Sequence, residues 1–241
     1  MLVLQEPDAL RLITQNDHAR LAHDILALWT GDGLPAHPLR DRLLLATAEH
    51  DNGWREADAA PLTKPASSWP YDFRSYPEDE RQRLWRRGIN RFADTDLPTA
   101  LLITRHAERI HRDLSSSPGW RQFFSFLSEK LRVLEESCMI SPADLDVLYE
   151  YLWLVDTVSL GACGVLGTST VTRRGYEFSV DRGHVSAHPF PFAGPLTLRV
   201  AYRLLPTRRY SGSADFAGEL ARAHWQSMPI NIGPREQPMI R

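Results

Sequence analysis

Apolar positions recur at intervals of three and four through the first two thirds of the chain, the spacing that places them on one face of a helix. Leu21, Ala22, Ile25 and Leu28 predict a helix over residues 15–29, opened by the capping signal Thr14-Gln15-Asn16-Asp17 and stopped by Gly31, Gly33 and Pro35. A second helix over 38–51 ends before Gly53. Helices are expected again over 77–92, 98–114, 120–136 and 142–160, each with a proline near its start or a Ser/Asp cap before it. After Gly161 the period changes to two. Residues 176–180 alternate, and Leu196, Leu198, Val200, Tyr202 and Leu204 alternate strictly, which predicts strands, with Arg182-Gly183 as a turn. A last helix over 214–226 precedes a Pro-rich tail. The segment 52–77 holds Pro61, Pro65, Pro70 and Pro77 among Trp54, Trp69, Tyr71, Phe73 and Tyr76. A stretch of that length without periodicity is functional or disordered, and so many aromatics favour an ordered lid.

The expected fold class is therefore mainly α: a helical bundle over 1–165, followed over 166–241 by a small C-terminal antiparallel β-sheet and a final helix, packed together as one compact domain. The 241 residues can bury a core without disulfide or metal staples. Lys+Arg 28 against Asp+Glu 30 gives a net charge of −2, which argues against a nucleic-acid polymer as partner but leaves room for a local basic pocket. Cys138 and Cys163 form neither a disulfide framework nor a CxxC pair, so the expected compartment is a reducing cytoplasm. The N-terminal segment has no basic region followed by an apolar one, and the most apolar stretch, 157–171, is too short to span a membrane.

Polar residues interrupt four of the apolar faces. His18 precedes Leu21 and Ala22 at helical spacing, and His50 follows Leu43, Ala46 and Thr47, with Asp51 beside it. His106 shares the face of Thr99, Ile103 and Ile110, while Asp156 shares that of Leu145, Leu148, Tyr149, Leu152 and Ser159. One histidine on such a face is ordinarily a hydrogen-bonded core residue. A buried carboxylate needs a cation or donors, because burial opposes its ionisation. A divalent cation would serve Asp51 and Asp156 and occupy neutral His18, His50 and His106. One or two ions of Mn, Fe, Ni, Zn or Mg suit such a nitrogen and oxygen donor set, and the absence of nearby Cys argues against a zinc finger.

His18, the His50-Asp51 pair and the distant Asp156 resemble the HD-domain superfamily. More closely, Gln15-x-Asp17-His18-Ala19-x-Leu21, Glu49-His50-Asp51-Asn52-Gly53-Trp54 and Arg105-His106 are similar to an uncharacterised bacterial family, domain of unknown function 3891. That resemblance covers most of the chain, and the HD-like one about 15–160. The superfamily resemblance implies a helical metal site and metal-dependent hydrolysis of phosphate esters, often nucleotides. A smaller branch with extra histidines between the His-Asp pair and the last Asp uses two irons for oxygenase chemistry, and His106 and His111 occupy that interval here. Asp144 and Asp146 are alternatives to Asp156.

The metal ligands are thus expected to be His18, His50, Asp51 and Asp156, with His106 holding a second ion or a substrate phosphate. Asp51, Glu49 and Arg105 are the catalytic candidates: Asp51 as ligand, Glu49 as acid or base or else a solvated residue, and Arg105 on phosphate. Trp54, Lys64 and Arg109 are the binding candidates, with Arg74 beside Lys64 in the lid. Asp17 either caps its helix or orients His18. Gly161, Gly164 and Gly167 lack the ending of a phosphate loop and fit close packing or a chain reversal better. His184, His188 and His224 are read as unrelated to the site. The leading function is a metal-dependent phosphohydrolase acting on a small phosphate ester or nucleotide. The alternatives are a di-iron oxygenase, a regulatory protein that binds metal or ligand without turnover, and a metal-free buried polar network. The C-terminal strands would either form the edge of a homodimer or close one side of the pocket.

Overall fold

A computed structural model describes residues 1–138 and 140–235. The chain opens with β1 (Leu2–Gln5) and β2 (Ala9–Ile13), then α1 (Gln15–Ala27), α2 (Arg40–Glu49), the short α3 (Arg55–Ala59), α4 (Glu78–Asn90), α5 (Leu97–Ile110), α6 (Arg121–Cys138) and α7 (Pro142–Ala162). Strands β3 (Ser169–Arg173), β4 (Tyr176–Asp181), β5 (His184–His188) and β6 (Leu196–Pro206) follow, then α8 (Ser213–Arg222) and β7 (Trp225–Pro234).

The strands form one sheet of seven in the order β1-β2-β6-β7-β5-β4-β3. Every pairing is antiparallel except β5 with β7, which run parallel. This corrects the expectation of a mainly α chain, and of an all-α protein, with a small antiparallel sheet and a final helix. About half the chain is helical, and a curled mixed sheet draws strands from both ends of the sequence. The final described element is a strand, and the helix expected over 214–226 stops at Arg222.

The physical reasons for these differences are local. β1 and β2 are four and five residues long, too short for alternation to stand out. β7 carries Pro229, which argues against an interior strand. Pro229 nevertheless lies before the Asn231–Pro234 stretch that pairs with β5, so at that point β7 is joined to β6 alone. Within the expected lid the chain is ordered by a 3-10 turn at Asn52–Trp54, by α3, by a bridge between Thr63 and Pro70, and by a second 3-10 turn at Phe73–Ser75.

Helices α1 and α7 join the bundle to the sheet. Trp29, just past α1, meets Tyr151 of α7, Tyr176 and Phe178 of β4, and Phe192, with ring centroids 4.8–6.0 Å apart. Gly161 lets α7 lie on β4, because a Cβ there would stand 2.5 Å from Val180 Cγ2. Gly164 and Gly167 take positive φ where the chain leaves α7. A second apolar cluster, with Trp85, Ile89, Ile103, Trp120 and Phe123, packs α4, α5 and α6 together. Among the described residues no helix is long and apolar enough to cross a membrane.

Candidate metal centre

Four helical segments converge on one buried point. His18 comes from the first turns of α1, whose start is fixed by the Thr14 hydroxyl accepting from Asp17 N at 3.0 Å. Asp17 itself accepts from Thr14 Oγ1 at 2.6 Å and so belongs to the cap. His50 and Asp51 end α2, His106 lies in α5, and Asp156 lies in the middle of α7. All five are buried.

The turn after Asp51 is held by α4. Asn52 Nδ2 donates to Glu49 O at 2.7 Å and to Gly88 O at 3.2 Å. Arg87 donates to Gly53 O at 2.6 Å, and Arg91 donates to both Asn52 oxygens. Gly53 is required here, because a Cβ would overlap Leu84 O. The Glu49-to-Trp54 motif is thus a helix end clamped by backbone contact, with Asp51 held in the clamp.

Hydrogen bonds fix the imidazole orientations. His50 Nδ1 donates to Thr47 O at 2.8 Å. Ser159 Oγ donates to Asp156 O at 2.8 Å and so accepts from His18 Nδ1 at 3.0 Å. Both rings therefore turn Nε2 toward the carboxylates. His18 Nε2 lies 2.8 Å from Asp51 Oδ2, and His50 Nε2 lies 3.3 Å from Asp156 Oδ1 and 3.6 Å from Asp51 Oδ2. His106 Nε2 lies 3.7 Å from Asp156 Oδ2. Ligand atoms of His18, His50 and Asp51, and again of His50, His106 and Asp156, lie within 4.8 Å of one another.

Two buried carboxylates facing imidazole nitrogens need positive charge between them. Burial lowers the pKa of His50, but Asp51 and Asp156 outweigh it and push it up to about 9. Burial raises Asp51 and Asp156, yet His50 and its neighbours hold both below the usual carboxylate range. His106 is brought down to about 4 by burial, so it is neutral. A proton on His50 offsets one of the two negative charges, and a divalent cation among the same oxygens and nitrogens would balance both. His50 Nε2, completely buried, makes no well-aligned hydrogen bond among the described residues and reaches Asp156 Oδ1 only at 3.3 Å. An Nε2 left over while Nδ1 is fixed by a backbone carbonyl is the arrangement of a metal-ligating histidine. The residues therefore fit a cation with nitrogen and carboxylate donors.

The site opens into a cavity of about 290 Å³ lined by His18, Asp51, His106 and Asp156 together with Trp54, Phe73, Arg74, Arg81, Trp85 and His111, among others. Of the residues expected at the site, His50 belongs to the cluster of ligand atoms but does not line the cavity, and Glu49, Lys64, Arg105 and Arg109 do not line it either. Glu49 binds Arg55 at 2.7 Å, and Lys64 stands 5.9 Å from the Tyr71 ring. Arg105 binds Glu135 at 3.0 Å, and Arg109 reaches Asp146 at 3.4 Å over Tyr149. Asp144 serves the cap of α7 with Ser141. Asp146 precedes Asp156 by ten residues of helix, about 15 Å of rise. His111 lines the cavity but donates Nδ1 to Ala107 O and stacks on Trp120, apart from the cluster of ligand atoms. The cavity also takes Arg81 and Trp85 from α4, which are not among the residues expected at the site. Arg81 precedes Leu84 and Trp85 at helical spacing, the same signal of a polar group on an apolar face that singles out the histidines.

No curated protein and no solved structure matches the chain. A sequence model of one family, described as "Protein of unknown function (DUF3891)", matches residues 1–207, and the chain belongs to that family.

Proposed function

We propose that this chain is a metal-dependent phosphohydrolase with an HD-like centre, acting on a small phosphate ester. The observation that carries the reading is the pair of imidazoles, His18 and His50, each with Nδ1 engaged as a donor and Nε2 turned onto buried Asp51 and Asp156 in a cavity wall. The arrival of these four residues from α1, α2 and α7 supports the HD-like assignment. It rests on site geometry alone.

His18, His50, Asp51 and Asp156 would hold the ion, with His106 beside Asp156. A bound divalent cation supplies Lewis acidity to a phosphoryl oxygen and makes a coordinated water more acidic. The chain's own part is to orient and to exclude water. Ser159 and Thr47 fix the imidazole tautomers, and Trp54, Phe73 and Trp85 give the cavity apolar walls that strengthen electrostatic interactions inside it.

The overlapping group of His50, His106 and Asp156 favours a second reading, a two-ion centre of the di-iron oxygenase type. One experiment separates the two. Transition metals per chain are counted by plasma mass spectrometry on protein purified without chelator or His-tag, for wild type and Asp51→Ala. The hydrolase reading expects bound metal in the wild type, its loss in the variant, and turnover of phosphate esters by the loaded protein. Two irons with O₂ consumption select the oxygenase. Metal and ligand binding without product would leave a regulatory role, and no metal after reconstitution would overturn both enzyme readings.

A further inference from the structure

Arg81 is the charged group of the cavity wall with the weakest pairing among the described residues. Its ion pair with Glu78 is 3.9 Å long, and its Nε is buried without an acceptor. Glu78 Oε2 is already taken by Trp120 Nε1 at 2.9 Å. The side chain is 16% exposed and its guanidinium lies 5.2 Å from the Trp120 ring centroid. Burial lowers its pKa from the usual arginine range, the mark of a charge less well solvated than one on the surface.

The charges around the cavity give this residue a task. Asp51 and Asp156 carry two negative charges, which a divalent cation would balance. The other charged lining groups are Arg74 and Arg81, and Arg74 Nε is held by Asp72 at 2.8 Å. Among the described residues, the surplus positive charge facing an incoming ligand is therefore that of Arg81. Trp54, Phe73, Trp85, Ile110, Leu114 and Leu160 make the rest of the wall largely apolar. The cavity, about 290 Å³, is at the small end for ligand pockets, which begin at roughly 300 Å³.

We propose that Arg81 anchors the anionic group of the substrate, and that the substrate is a phosphomonoester with a compact apolar body of about one ring rather than a nucleotide. This deepens the phosphohydrolase reading and rests on it. A guanidinium presents paired donors that match two phosphoryl oxygens, and the indole and phenyl walls accept a flat body.

The test uses metal-loaded full-length protein, with phenyl phosphate, inorganic phosphate, AMP and phenol as probes, followed by calorimetry and tryptophan fluorescence. The variants are Arg81→Met, which keeps a stem on Trp120, Arg81→Lys, and exposed Arg83→Met as control. Wild type should bind phenyl phosphate more tightly than AMP or phenol. Arg81→Met should weaken phenyl phosphate at least tenfold, Arg81→Lys by less, and Arg83→Met not at all, with metal per chain unchanged throughout. A folded Arg81→Met protein that binds phenyl phosphate as tightly as wild type overturns the anchor while leaving the metal centre standing. If Arg81→Met does not fold, wild-type affinity in Arg81→Lys overturns the paired-donor role. No saturable phenyl phosphate binding by wild type, or AMP binding as tight, overturns the substrate class. Arg81-dependent binding in a wild type that holds no metal keeps the anchor and removes the metal reading.

Discussion

Ser159 shows how the centre is held at the level of single side chains. Its hydroxyl gives its proton to Asp156 O and takes the His18 Nδ1 proton, so it joins α7 to α1 through an imidazole. Ser159→Ala should lower metal affinity by roughly 10–100-fold, the usual cost of losing a partner behind a ligand. Titration with a competing chelator measures it, and an unchanged affinity would show that His18 is positioned by packing alone. His111 offers a pH test away from the ligands. Its folded pKa is brought down to about 4, first by burial and further by the Arg81 charge, whereas the unfolded side chain titrates near 6.5. Above pH 6.5 both states hold it neutral and it has no effect on stability. Below that the unfolded chain takes the proton first, so stability falls until about pH 4, by at most about 3 kcal/mol. Urea midpoints at pH 7.5 and pH 5 should differ less in His111→Gln than in wild type, and equal differences would refute the assignment.

At the scale of elements, the contact of Gly53 with α4 decides where Asp51 sits. Gly53→Ala should cost roughly 1–3 kcal/mol from overpacking and lower the metal content with it. Gly194→Ala, where a Cβ meets nothing within 4 Å, is the neutral control. Thermal melts with metal analysis check both. The helices that carry the centre were legible because their apolar faces are long: α1 and α7 have the expected starts, and the polar residues on those faces fall at helical spacing. The same pattern overlooked Arg81, since a lone arginine before Leu84 and Trp85 reads as a surface charge in a helix with six other charged residues. It also drew Arg105 and Arg109 toward the site, although they turn to Glu135 and Asp146. Arg105 adjoins His106, and adjacent helical residues do not share a face; Arg109, one turn on, neighbours His106 but its long side chain runs over Tyr149 to Asp146.

For the whole molecule, a metal held by residues of three separate helices should stabilise the native state. At 100 times its dissociation constant a ligand adds about 2.7 kcal/mol. For a chain of this size that is about 5–10 °C in Tm. The rise should be reversed by chelator and absent in Asp51→Ala, as read by scanning calorimetry, and a Tm indifferent to both would favour a metal-free polar network. The sheet was the least legible part at this scale. Alternation marks β4 and β6, but it cannot say that the segments before α1 and after α8 join them, because strand pairing is fixed by partners distant in sequence.

The place of β7 between β6 and β5 has a consequence in time. The strands on either side of it, β1-β2-β6 and β5-β4-β3, have no described pairing with each other except through β7, which leaves the ribosome after the other six. During synthesis the chain must carry two separate groups of strands, each with an unsatisfied edge, until residues 225–234 arrive to close the gap. Such edges invite pairing with other chains. A ribosome-bound chain stopped after α8 should therefore have helices protected from protease and both strand groups open to it, and the sheet should become resistant in one step when β7 emerges.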